Sequence, residues 1–263
     1  MMKNKKKLKP TSAYFLSQKI WRTLRKLLNR DIWTYFYIIS QKIKIGSLLK
    51  LLENENTSLK INLKYQNLKN KAKSRKKFSF FLKKYNSSKP HGNYRKFLDK
   101  FMHEINYPNT ILELGISEGA GIYSLRDYYK DSFLWGCDID KNTFIKNKKI
   151  TCGYCDQLKI SSIYKVLKKF NTKFDLIIDD GWHHPESQIN SMIACLPYLS
   201  NQGVYITEDI AHDVYKNIFS KTIRILNKKG FKTKYKKFYI PNESTNLAGT
   251  LNNGYLFIYR NSR

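Results

Sequence analysis

Acidic residues are scarce in this chain: 20 Asp and Glu stand against 49 Lys and Arg, for a net charge of +29. The deficit is uneven. Residues 1–90 hold 24 basic and 3 acidic side chains, whereas residues 91–263 hold 25 and 17. A basic excess of this kind suits nucleic acid, anionic lipid or an acidic glycan. The same Lys-rich, Asn-rich and Tyr-rich composition covers every part of the chain, so charge alone names no partner. Cysteine is also sparse. Cys152 and Cys155 form a C-x-x-C, but no second Cys or His pair stands at zinc-ligand spacing, and Cys137 and Cys195 lie in apolar segments. Four buried, reduced thiols and a reducing, cytoplasmic setting are expected. Long apolar runs are missing too. The most apolar stretch, Ile32–Ile39, is about half the length needed to cross a bilayer, and no signal-type apolar core follows the charged start. No internal repeat is found.

What is present divides into two textures. Residues 1–88 read as a basic, mainly helical extension and linker. Within it, residues 11–55 carry apolar groups at loosely helical spacing between lysines and arginines, a pattern that either packs on a domain or, through residues 11–45, lies against an anionic membrane face. Residues 89–263 read as one α/β domain. Apolar strands are expected at Thr110–Gly115, Ser132–Asp140, Lys148–Asp156, around "KFDLIIDD", at Gly203–Asp209 and at "NGYLFIYRN", with helical segments between them. Such alternation predicts a mostly parallel, doubly wound sheet that binds ligands beyond the carboxyl ends of its strands.

The acids that do occur gather at those strand ends. "ELGISEGAG" places Gly115, Gly119 and Gly121 between the first strand and its helix, where the backbone can approach a ligand. The spacing is neither G-x-G-x-x-G nor a phosphate loop ending G-K-S/T. Glu113, just before the first glycine, repels phosphate and attracts a cation, which favours a positively charged cofactor over a dinucleotide. Asp138 at the end of the second strand can accept both hydroxyls of a ribose, with Asp140 as the alternative. Asp156, beside Gln157 at the end of the third, is placed to accept an exocyclic amine. The fourth strand ends in "DDGWHHPESQ", where two carboxylates, a glycine, an indole and two imidazoles follow one another; "GVYITED" ends the fifth in Glu208 and Asp209.

These residues resemble the class I S-adenosylmethionine-dependent methyltransferases over roughly residues 90–263. E-L-G-x-x-x-G matches their first motif, D-I-D their ribose acid and "CDQ" their adenine side. A narrower resemblance, to the metal-dependent sugar O-methyltransferases of macrolide biosynthesis and to rhamnosyl O-methyltransferase and cephalosporin-hydroxylase-like relatives, rests on D-D-G-x-H-H-P, Gln188 and E-D-I, and is echoed by Lys89, His91 and Tyr94. The resemblance implies a Rossmann-like seven-stranded sheet with an antiparallel last strand. It implies S-adenosylmethionine bound at Glu113, Gly115, Gly119, Asp138, Asp156 and Gln157. It also implies a divalent metal on Asp180, Glu208 and Asp209, with His183 as general base. Three carboxylates from adjacent strand ends make a hard oxygen site that independently suits magnesium. His184 is expected to be structural or to face the substrate. Trp182 stands where the group has a small serine, and His212 lies one position later than the group's histidine, so the acceptor pocket differs. The expected reaction is methylation of a sugar hydroxyl on a glycan or glycosylated metabolite. The alternative is an RNA methyltransferase gripping phosphates with residues 1–88, though nothing resembles the N-P-P-Y motif used for base nitrogens. A homo-oligomer is compatible with either.

Overall fold

The computed structural model describes residues 43–55, 73–89, 93–239 and 252–260. Most of the 11–45 segment, and His91, lie outside the described residues. The chain divides into two compact units, Met1–Ser47 and Leu48–Arg263. The division falls within a helix over residues 43–54 (α1). The second unit continues with α2 (Phe78–Lys84), α3 (Asn93–Glu104), β1 (Thr110–Leu114), α4 (Ala120–Tyr128), β2 (Phe133–Asp138), β3 (Ile150–Tyr154) and α5 (Ile160–Phe170). It ends with β4 (Phe174–Asp179), α6 (Pro185–Cys195), β5 (Leu199–Ala211), α7 (His212–Lys228), β6 (Phe231–Tyr239) and β7 (Asn252–Arg260).

The strands form a seven-stranded sheet in the order β3-β2-β1-β4-β5-β7-β6. β1 to β5 run parallel, and β7 is antiparallel to both of its neighbours. This is the doubly wound arrangement expected from the sequence. β1 is buried along its whole length, as a strand covered on both faces should be. Helix α5 presents Ile163, Val166 and Leu167 to the interior at spacings of three and four, and Pro185 opens α6 at a position that needs no backbone donor. Two elements go beyond the sequence reading. β6 is a strand in which Phe231, Thr233 and Tyr235 alternate with Lys232, Lys234 and Lys236, and α2 lies inside the segment read as extension.

Side chains alternate across each strand, so Ile111, Leu176, Ile178 and Ile206 share one face. They pack there with Phe78 and Leu82 of α2, Leu98 and Met102 of α3, and Ile122 of α4. Continuing the alternation by two residues carries Glu113, Asp180 and Glu208 to the same face, at its carboxyl edge.

A polar clip fastens α2 to α4. Asp127 accepts from Lys84 Nζ at 2.8 Å and from Tyr85 OH at 2.6 Å on one oxygen, and from Arg126 on the other. Burial alone would raise the Asp127 pKa, but hydrogen bonds from Lys84, Tyr85 and Arg126 hold it down at about 2. Asp127→Asn should therefore cost about 1 kcal/mol near neutral pH. Because the folded pKa lies below the unfolded value of about 3.9, the contribution is full above that value and is lost as pH falls through about 2. Urea unfolding of both proteins across this range should show the gap closing; an equal gap at pH 2 would exclude the clip.

Candidate active site

The loops after β1 and β4 touch through their backbones. Asp180 N–H donates to Leu114 O at 3.0 Å, and Gly115 N–H donates to Cys137 O at 2.8 Å. Gly115 has φ +84°, and a Cβ there would overlap Gly181 Cα and Asp180 O. Only glycine meets both demands. Gly119 is the residue before α4 and is also left-handed. Asp138 ties the end of β2 to the glycine loop: its Oδ2 accepts from Ser117 N–H at 2.9 Å and its Oδ1 from Asp140 N–H at 2.9 Å. Asp140 caps the next turn through Asn142 N–H. Glu113 is buried against Gly121, where any Cβ would overlap its carboxylate, and its Oε2 has no hydrogen-bond partner.

Asp156 and Gln157 are engaged in holding the surrounding wall. Asp156 accepts from Leu158 N–H at 3.1 Å and pairs with Lys159 at 2.7 Å. Gln157 Nε2 donates to Asp179 Oδ1 at 2.7 Å and Ser191 Oγ at 2.9 Å, while its Oε1 accepts from Trp182 N–H at 2.8 Å. Asp179, buried by the same contacts and by Tyr205 OH, has its pKa pushed up to about 6 by desolvation. The Trp182 carbonyl accepts from His184 N–H at 2.8 Å and from Ser187 Oγ, so the loop is fixed while the indole stands 55% exposed. His184 caps α6, its Nδ1 accepting from Glu186 N–H.

Asp209 reaches the pocket by a different route. Strict alternation would send it to the face opposite Glu208. The β5–β7 register shifts between Thr207 and Ile210, and Asp209 takes φ +52°. A bulge of this kind re-aims a side chain, and the uncommon backbone state is held by Asn253 Nδ2 at 2.8 Å and Tyr255 OH at 2.6 Å, both donating to Asp209 Oδ1. Asp209 Oδ2 lies 3.7 Å from His183 Nε2, too far for a hydrogen bond. Asp180, His183 and Asp209 each offer an atom within 4.8 Å of the others, a grouping that can hold a metal ion.

Glu208 does not join that group. Its Oε2 pairs with Lys89 Nζ, which also binds Asp180 Oδ2 at 2.7 Å; its Oε1 is buried without a partner. Burial disfavours a charged Lys89, but Asp180, Glu208 and Glu113 together keep the ammonium protonated. Burial pushes both Glu113 and Glu208 up to about 8 despite that ammonium. The sequence signalled Lys89 only as part of a three-residue echo, and gave no sign of Asn253 or Tyr255.

No protein-family profile matches the chain. Demethylmacrocin O-methyltransferase of Streptomyces fradiae is 25% identical over 107 residues, 38% of this chain and 27% of that protein. Among solved structures, the MycE methyltransferase of the mycinamycin pathway, in complex with Mg and SAH, superposes with a TM-score of 0.54 at 16% identity, covering 72% of this chain and 56% of that one. The same enzyme with Mg, SAH and mycinamycin VI gives 0.54 at 15% identity, covering 72% and 55%. The chain spans about a quarter of the curated relative's length and just over half of MycE's. It has the class I methyltransferase fold and resembles the sugar O-methyltransferase group in sequence.

Proposed function

We propose that the chain is an S-adenosylmethionine-dependent O-methyltransferase that methylates a sugar hydroxyl with the help of a divalent cation. The observation that carries this reading is the convergence of Asp180, His183 and Asp209 at the carboxyl edge of the sheet, in backbone contact with the glycine loop. The cofactor would supply an electrophilic sulfonium methyl, for which the buried, partnerless Glu113 Oε2 is a suitable neighbour. Asp138, fixed by Ser117 and Asp140, would hold the ribose. Asp180 and Asp209 fit a hard cation, which when bound lowers the pKa of a coordinated hydroxyl. His183 Nε2, with no hydrogen bond to Asp209, would accept the hydroxyl proton. The exposed Trp182 indole offers an apolar face on which a sugar ring can stack. The cofactor assignment is tested by titration with S-adenosylhomocysteine. Saturable binding to the intact protein should weaken roughly tenfold or more in Asp138→Ala, which loses charge-assisted hydrogen bonds; no binding to the intact protein would end the proposal.

A further inference from the structure

Lys89 enters the acidic pocket from the segment between α2 and α3, and its backbone is clamped. Arg95 Nε and Nη2 donate to Lys89 O at 3.1 and 2.9 Å, and Nη2 also donates to Ser87 O at 3.0 Å. The ammonium, only 7% exposed, is therefore delivered from a fixed base rather than trailing toward solvent. It takes one oxygen each of Asp180 and Glu208. Asn253 and Tyr255 occupy Asp209 Oδ1. Each of the three acids keeps an unbonded oxygen, that of Glu208 being the buried Oε1, but only Asp180 and Asp209 group with His183 within 4.8 Å.

We propose that Lys89 is the resident cation of this pocket, a positioning residue that withholds Glu208 from a bound dication and confines that dication to Asp180, Asp209 and the His183 side. The inference rests on the cation reading given above. It differs from the carboxylate trio implied by sequence resemblance, in which Glu208 is a ligand.

The test uses the full chain, with Mn2+ as the probe, read by electron paramagnetic resonance, and thermal unfolding in metal-free buffer. Glu208→Gln should leave Mn2+ affinity close to that of the unaltered protein, whereas Asp209→Asn should abolish it. Lys89→Met should raise the affinity by roughly tenfold or more, because a freed carboxylate adds both a ligand and a charge. In metal-free buffer Lys89→Met should lower the thermal midpoint, and adding Glu208→Gln should recover part of the loss, since the two residues are coupled. Loss of Mn2+ binding in Glu208→Gln comparable to that in Asp209→Asn overturns the proposal, as does unchanged affinity in Lys89→Met. If Lys89→Met does not fold, Glu208→Gln alone decides. If no variant binds Mn2+, the cation reading fails separately. Lys89 is then judged by the midpoint of the double variant, whose recovery supports a resident charge pair and whose additivity overturns it.

Discussion

His183→Ala should lower the proposed methyl transfer by roughly 10²–10⁴-fold, the range a positioned general base contributes, while leaving S-adenosylhomocysteine affinity unchanged. The expectation follows from where the imidazole stands. Its Nε2 lies 3.7 Å from Asp209 Oδ2, within ion-pair reach but without a hydrogen bond, and its Nδ1 is buried without a hydrogen-bond partner, so no hydrogen bond in the described structure commits the ring. Single-turnover rates on the purified variant separate a chemical defect from slow release. A variant turning over within a few-fold of the original would remove His183 from the chemistry.

Gly115→Val is the second large effect, and it falls on stability and cofactor binding together. A β-branched residue at φ +84° is strained in itself, and its Cβ would overlap backbone atoms of Gly181 and Asp180, which cannot move aside as a flexible side chain can. A loss of about 3 kcal/mol or more is expected in urea unfolding, with S-adenosylhomocysteine binding abolished. Gly46, in helix α1 with nothing within 4 Å of its virtual Cβ, is the control: Gly46→Ala should be neutral or gain up to about 1 kcal/mol. Equal midpoints for Gly115→Val and the unaltered protein would show that the two loops do not meet as described.

Much of this geometry was legible in the sequence because period-two alternation is a strong constraint. Apolar strands with acids at their ends placed Glu113, Asp138, Asp180 and Glu208 at one edge before any coordinates. Asp209 was different. Its aim depends on a bulge in which a non-glycine residue adopts φ +52°, held by Asn253 and Tyr255 more than 40 positions away, and no local signal encodes that. Lys89 was harder still. It is one of 24 basic residues in the first 90, and its partner Asp180 lies 91 positions later, so composition hid a lysine that the fold turns inward. The resemblance of "CDQ" puts Gln157 on the cofactor's adenine side. In the structure its amide is committed to Asp179, Ser191 and Trp182, where it sets the shape of the β4 loop. Strand β6 escaped notice because its four lysines equal its four aromatic residues in number, as suits the edge of a sheet.

Methyl transfer to a sugar oxygen is the reaction proposed for the Asp180–His183–Asp209 edge. Its most direct test is incubation of the purified protein with methyl-labelled S-adenosylmethionine, Mg2+ and a cell extract lacking the protein, followed by fractionation. Label should appear in the carbohydrate fraction, be recovered after hydrolysis as an O-methyl sugar, and be absent with chelator or with His183→Ala. Label recovered in RNA, or sugar methylation undiminished by both the chelator and the His183 substitution, would contradict it.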